Sequence, residues 1–457
     1  MPTLPPLDPS HQPLLGILGR CMAQLESGFA NLPPSEMTPI DFGALERVLR
    51  EVALRMHDNF PYFHPLYAGQ MLKPPHPVAR LAYAMAMVIN PNNHALDGGR
   101  ASSAMEKEAV AAIAAMFGWS THLGHLTGGG TMANLEALWI AGQLRPGATI
   151  VASEQAHYTH GRISGVLGLR YRACPTDRDG RMNLQALDRI LAEDNVGTVV
   201  ATMGTTAVGA VDPLPALILR RAEHGFRIHA DAAYGGYFTL ADNLAPPARA
   251  AFAALDQVDS LVIDPHKHGL QPYGCGCVLF RDPAVGSLYK HESPYTYFSS
   301  AELHLGEISL ECSRPGAAAV ALWATQRLLP LVPQGEFATM LQAGRQAALE
   351  LHRLLSADPR TITGLVPELD IVIWVPRAAA AGEASERSRR VFDEAARRGL
   401  HLALAELPVA FIDPAGDQLR RDQPTVTCLR SVLMKSEHRE WVPRIAALIA
   451  EATDAAA

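Results

Sequence analysis

The sequence predicts an α/β protein, with a mainly parallel sheet in a large domain and a small C-terminal α+β domain. Three observations carry that expectation. Through the centre of the chain, short apolar runs bounded by turns alternate with stretches of helical period. That order arises when crossover helices join parallel strands. After about residue 316 the alternation gives way to two long helical stretches and then two further strand candidates. With 457 residues, 48% apolar and 19% charged, the chain can bury a large core and lacks the composition of disorder.

Residues 1–75 are a proline-punctuated start with one helical stretch, "IDFGALERVLREVALRMHDNF", where Leu45, Val48, Leu49, Val52 and Leu54 recur at roughly helical spacing. Residues 76–330 are expected to form the large domain. "AMEKEAVAAIAAMFG" reads as a helix with Glu106 and Glu108 near its start. "ATIVASEQ", "TVVATMGT", "FRIHADAA" and "DSLVID" read as strands, with the helical "NLQALDRILAED" and "LPALILRRAEHG" between them. The helix "AAAVALWATQRLLPLV" leads into the small domain, residues 331–457. There "TMLQAGRQAALELHRLLSA" reads as a helix, "ELDIVIWVP" and "TVTCLRSVLM" as strands, and "RAAAAGEASERSRR" as a surface loop passing into a helix. No internal repeat or long low-complexity segment interrupts the pattern.

Composition excludes several function classes. A net charge of −7 gives no global basic field to hold nucleic acid or an anionic membrane. No stretch reaches the ~18 uninterrupted apolar residues of a membrane span. The N-terminus has three prolines in its first six residues and no positive charge before Arg20, unlike a secretory signal. Six cysteines are too dilute for a disulfide framework. The expectation is a cytoplasmic protein with neither nucleic-acid nor membrane partners.

Four segments carry chemistry. "HLTGGGTMANLEALWIAG" (125–142) places Gly129, Gly130 and Thr131 before an apolar helix, where free N–H groups and the helix dipole attract an anion. The plainer reading is a flexible turn with Thr131 as N-cap. "FRIHADAAYGG" (226–236) ends a strand in Asp231, at the strand end where α/β sheets bind ligands, or merely starts a turn there. Lys267 follows the strand "DSLVID", while the other lysines, 73, 107, 290 and 435, sit in segments that read as solvated surface. "SEQAHYTHGRISGVLGL" (153–169) puts His157 after another strand. His157 and His160 could form a metal pair, but no third ligand is evident.

"DPHKHGLQPYGCGC" (264–277) has a competing reading. His266, His268, Cys275 and Cys277 could ligate zinc in a hydrolase, although structural zinc usually spaces its cysteine pairs by two or more residues. The combination favours Lys267 instead. A phosphate cradle, a strand-end aspartate, a strand-following lysine and a strand-end histidine together meet the needs of pyridoxal phosphate.

"SEQAHYTH", "HADAAYGG" and "DPHKHG", in this order and spacing, resemble the group II pyridoxal-phosphate-dependent amino acid decarboxylases, which include aromatic-amino-acid, glutamate and tyrosine/aspartate decarboxylases. The resemblance covers roughly residues 60–330 and extends more faintly to the C-terminus. It implies the aspartate aminotransferase-like fold (fold type I) with a seven-stranded sheet. It also implies a homodimer with shared active sites, residues 1–75 packing on the partner subunit. Lys267 matches the Schiff-base lysine, Asp231 the pyridine-nitrogen partner, Ala233 the small residue under the ring and His157 the histidine stacked on its other face. Gly129, Gly130, Thr131 and His266 match phosphate contacts, and Thr205 and Thr206 in "TMGTTAVGAVD" match another segment near the cofactor. Many relatives carry Asn where this chain has Asp264, and Trp or Met where it has His268. An inward carboxylate at 264 would repel phosphate.

The implied reaction is decarboxylation of an L-amino acid to an amine and CO2. Tyr297 in "HESPYTYFSSAELHLG" is the expected proton donor and Tyr295 a substrate contact, or both are packing aromatics. Arg430 resembles an arginine that holds the substrate carboxylate, or forms an inter-domain ion pair. Arg314 resembles a structural position. Asn93 and His94 in "PNNHALDGG" fall where relatives line the substrate pocket. Aldehyde synthesis and carbon–carbon cleavage are the alternatives on the same scaffold. Retention of both tyrosines favours simple decarboxylation.

Overall fold

The computed structural model describes residues 11–33, 38–290 and 304–456. Its larger sheet has seven strands: β1 (Leu123–Thr127), β2 (Thr149–Ser153), β3 (Arg170–Cys174), β4 (Val196–Thr202), β5 (Arg227–Asp231), β6 (Ser260–Ile263) and β7 (Gly276–Phe280). The order across the sheet is β1-β7-β6-β5-β4-β2-β3. Only β7 opposes its neighbours, pairing antiparallel with both β1 and β6. The remaining pairs are parallel, so the sheet is mixed but mainly parallel, as expected.

Strands β2, β6 and β7 are buried along their whole length, which is why they read as continuous apolar runs rather than alternating ones. Edge strand β3, "RYRAC", carries two arginines and is largely open to solvent, so its pattern gives no strand signal. β1 contains Gly124 because a Cβ there would meet the Val278 carbonyl oxygen at 2.7 Å.

Around the sheet lie α3 (Pro77–Ile89), α4 (Arg100–Met116), α5 (Gly130–Leu144) and α6 (Thr159–Val166), preceded by α1 (His11–Ser27) and α2 (Phe42–Met56). The N-terminal segment thus has two helices where one was expected. Neither α1 nor α2 has a buried residue, and Leu45, Val48, Leu49, Val52 and Leu54 of α2 are exposed. Helix α4 begins earlier than expected, which puts Glu106 in its interior rather than its first turn. That carboxylate is buried against Arg314, at 2.9 Å.

A four-stranded antiparallel sheet follows: β8 (Thr361–Thr363), β9 (Ile371–Pro376), β10 (Ala403–Pro408) and β11 (Thr425–Val432), in the order β10-β11-β9-β8. The helix Glu336–Ala357 packs on β8 and β9. Trp374 of β9 is fully buried, and burying a large apolar side chain contributes about 1.5–3 kcal/mol. Among the described residues, no helix is long and apolar enough to cross a membrane.

Candidate active site

Strands β1, β2, β4, β5 and β6 all end at the same edge of the large sheet. Each is followed at once by chemically active residues. β1 runs into Gly128, Gly129 and Gly130, where α5 starts. Gly129 has φ +147°, a backbone conformation that disfavours side chains. The turn also lies hard against β7. A Cβ on Gly276 would sit 2.5 Å from the Gly129 carbonyl carbon, which accounts for the glycine in "YGCGC".

The turn forms one wall of a cavity of about 550 Å³. Gly129, Gly130, Thr131, His157, Thr206, Asp231, Ala233, His266 and Lys267, all expected at the site, line it. Thr205 is buried just outside, its Oγ1 accepting the Ala210 N–H at 3.0 Å. It shapes the turn that presents Thr206.

Asp231 sits at the end of β5 opposite Thr202 of β4. Its Oδ1 accepts the Ala233 N–H at 3.2 Å and its Oδ2 lies 2.8 Å from His160 Nε2. Burial works to raise the Asp231 carboxyl. The His160 hydrogen bond, with the nearby Lys267 amine, outweighs it and holds the group well below the ordinary carboxylate value. His160 is therefore not one of a metal pair with His157. It occupies the first turn of α6, one helical turn beyond His157, and that spacing was the available signal. Burial lowers His157, which is half-buried at the cavity wall.

Asp264 points inward. Its Oδ2 is 3.0 Å from Lys267 Nζ and 3.5 Å from His266 Nε2. His266 accepts the Cys275 N–H on Nδ1 at 3.3 Å and stacks on Tyr273 with ring centroids 4.6 Å apart. His268 turns away from Lys267. It packs between Tyr234 and Phe238, with Nε2 3.3 Å from Asp370 Oδ2. The zinc reading is thereby overturned: the four proposed ligands do not converge, and burial raises both cysteine thiols. Among the described residues, no group of three or more His, Cys, Asp or Glu is placed to hold a metal.

Three expectations do not meet at the cavity. The Asn93 amide is committed elsewhere, donating to Glu106 Oε2 at 2.6 Å and accepting from Ser102 Oγ. The backbone carbonyl of its neighbour His94 accepts the Gly306 N–H at 2.9 Å, and neither residue lines the cavity. Arg430, on β11, is also outside the lining. It is 5% exposed, it donates to Gln70 Oε1 at 3.3 Å, and its Nε and Nη2 have no hydrogen-bond partner. No described carboxylate forms an ion pair with it. Tyr295 and Tyr297 lie outside the described residues. Glu311, missed in the sequence, lines the cavity and accepts the Gly128 N–H at 2.9 Å.

The donor set suits pyridoxal phosphate. A glycine-only turn at a helix N-terminus fits the phosphate, a carboxylate held in its charged form fits the pyridine nitrogen, and a lysine amine in the same cavity fits the aldehyde.

Residues 139–361 match a family described as the pyridoxal-dependent decarboxylase conserved domain. A "Probable L-tyrosine/L-aspartate decarboxylase" of Methanoculleus marisnigri is 31% identical over 57% of this chain and 69% of its own length. The protein of the same name from Methanothermobacter thermautotrophicus is 29% identical over 70% of this chain and 85% of its own. The L-aspartate decarboxylase of Thermococcus kodakarensis is 28% identical over 72% and 83%. In fold, the chain resembles the TDC of Oryza sativa crystallised with PLP and tryptamine, with a TM-score of 0.78 at 19% identity over 99% of both chains.

Proposed function

This chain belongs to the pyridoxal-dependent decarboxylase family, and we propose that Lys267, Asp231 and the 128–131 turn are the working parts of its active site, with L-tyrosine or L-aspartate as substrate. The protein is a pyridoxal-phosphate-dependent carboxy-lyase that converts an amino acid to its amine and CO2. One observation carries the assignment of residues. The amine of Lys267, the carboxylate of Asp231 and the glycine turn face one cavity from three strand ends.

When bound, pyridoxal phosphate supplies an electron sink for the pair left as the Cα–carboxylate bond breaks. The N–H groups opening α5 hold the phosphate, and Thr131 and His266 flank it. Asp231 keeps a proton on the ring nitrogen, a task for which its persistent negative charge suits it. Lys267 would hold the cofactor through its amine. His157 and Ala233, both lining the cavity, would contact the cofactor ring. Tyr297 would deliver the proton to Cα. The choice of substrate rests on the names of the relatives.

We further propose a cytoplasmic homodimer. The apolar stripe of α2 supports it, since an exposed row of Leu and Val on a helix with nothing buried is a surface to be covered.

The test is Lys267→Ala. The variant should lose both the visible absorbance of the loaded protein and amine release. Turnover near the wild-type rate would remove Lys267 from the mechanism.

A further inference from the structure

We propose that Asp264 and Glu311 are placeholder anions for the cofactor phosphate, and that Asp264 makes the site reject phosphate that arrives without an aldehyde. This rests on the function proposed above.

The Asp264 carboxylate is 2% exposed and tied in place by its backbone, whose N–H donates to the Ala233 carbonyl and whose carbonyl accepts the Lys267 N–H. The next residue is Pro265, which restricts its backbone further. The carboxylate lies against the opening of α5, where a Cβ on Gly130 would come within 2.6 Å of Oδ2. Oδ2 is held by Lys267 at 3.0 Å, while Oδ1 is buried without any hydrogen bond. A buried, half-satisfied carboxylate is therefore aimed at the place where N–H groups and the helix dipole collect negative charge. Glu311 supplies the second anion, on the Gly128 N–H at 2.9 Å.

The two differ in freedom. Glu311 is only partly buried and is flanked by exposed Leu310 and Cys312, so it can swing away when a phosphate takes its N–H. Asp264 cannot leave. An incoming phosphate must accept a fixed carboxylate as neighbour and compete with it for the Lys267 ammonium. Inorganic phosphate has nothing to offset that cost. A phosphate ester carrying an aldehyde does, because the Lys267 amine joins its carbonyl carbon with loss of one water. The Lys267–Asp264 pair thus keeps phosphate alone out of the site, while the complete cofactor offsets the cost through its aldehyde.

The experiment titrates inorganic phosphate and pyridoxal 5'-phosphate separately into the full-length protein freed of cofactor. Binding is read by calorimetry, and the visible band is followed for the second ligand. Asp264→Asn and Glu311→Gln should each bind inorganic phosphate on the order of tenfold more tightly than wild type, as removal of a like charge at contact distance predicts. Pyridoxal 5'-phosphate should gain by a similar factor in Asp264→Asn, since the carboxylate opposes the phosphate of both ligands. A purely structural role would weaken binding, not strengthen it. Glu311→Gln, at a partly exposed position, remains informative if the buried Asp264 variant does not fold. Phosphate binding equal to or weaker than wild type in Glu311→Gln overturns the proposal, provided wild type forms its visible band. A wild-type protein with no band overturns the functional reading itself.

Discussion

His160 Nε2 lies 2.8 Å from Asp231 Oδ2, with both side chains buried. The histidine helps hold the carboxylate well below the ordinary carboxylate range against the upward pull of burial. A carboxyl depressed on folding adds stability above its unfolded value of about 3.9, lost only as pH falls through the lower folded value. The Asp231 charge therefore survives into acid. In His160→Ala the Asp231 carboxyl should titrate at higher pH. The acidic limb of the kcat/KM profile should move upward and cofactor affinity should fall. His160→Gln, which keeps a donor near Nε2, should restore much of both. An unmoved acidic limb in His160→Ala would show that the contact does not set the charge of Asp231.

Asp370 behaves in the opposite sense. Burial raises it to about 6, in spite of the Tyr234 hydrogen bond and the nearby Lys73. Its contribution to stability is full below about 3.9 and is lost as pH rises through about 6, on the order of 2–3 kcal/mol in total. Asp370→Asn should remove that loss. The wild-type-minus-variant difference in urea midpoint should decline between pH 4 and 6 and level off above. A flat difference curve would mean that the carboxyl titrates normally.

What the sequence made legible follows from how much of each role is local. Asp231, Lys267 and His157 sit directly after strands, and strand ends in a parallel sheet share one edge, so their convergence could be read from order alone. The glycine turn was legible for the same reason. Side-chain commitments were not. Asn93 looks like a free polar group in "PNNHALDGG", yet Glu106 and Ser102 consume it from another helical turn. Glu106 looks like a first-turn acid until Arg314, 208 residues away, claims it. Asp264 and His268 departed visibly from the expected motif. Their meaning depended on direction, inward for one and toward Asp370 for the other, which periodicity does not encode.

The Arg314–Glu106 pair should matter to stability well beyond a surface ion pair. Glu106 Oε1 takes both Arg314 Nη1 and the Leu126 N–H at 2.9 Å, joining α4, β1 and the segment after residue 304. Arg314→Ala leaves a buried carboxylate without its cation, and breaking such pairs costs about 3–5 kcal/mol. Adding Glu106→Gln should recover a large part of that loss in chemical denaturation. Additive destabilisation by the two changes would argue against a direct coupling.

Arg430 sets stability against function. Its guanidinium is buried with Nε and Nη2 unpaired, and burial lowers its pKa. Such desolvation is unfavourable for the free protein, so Arg430→Met should raise the denaturation midpoint. If the unpaired donors receive a substrate carboxylate, the same change removes charged hydrogen bonds worth about 1.5–3 kcal/mol, or roughly ten- to hundredfold in kcat/KM. Where the bound group is a side-chain carboxylate that survives the reaction, as in aspartate, the loss should fall mainly on KM, since such a contact binds ground and transition states alike. Arg430→Lys should lie between, keeping the charge but losing the planar fork. A more stable Arg430→Met with unchanged KM would assign the arginine no part in substrate binding and leave its unpaired donors without a purpose.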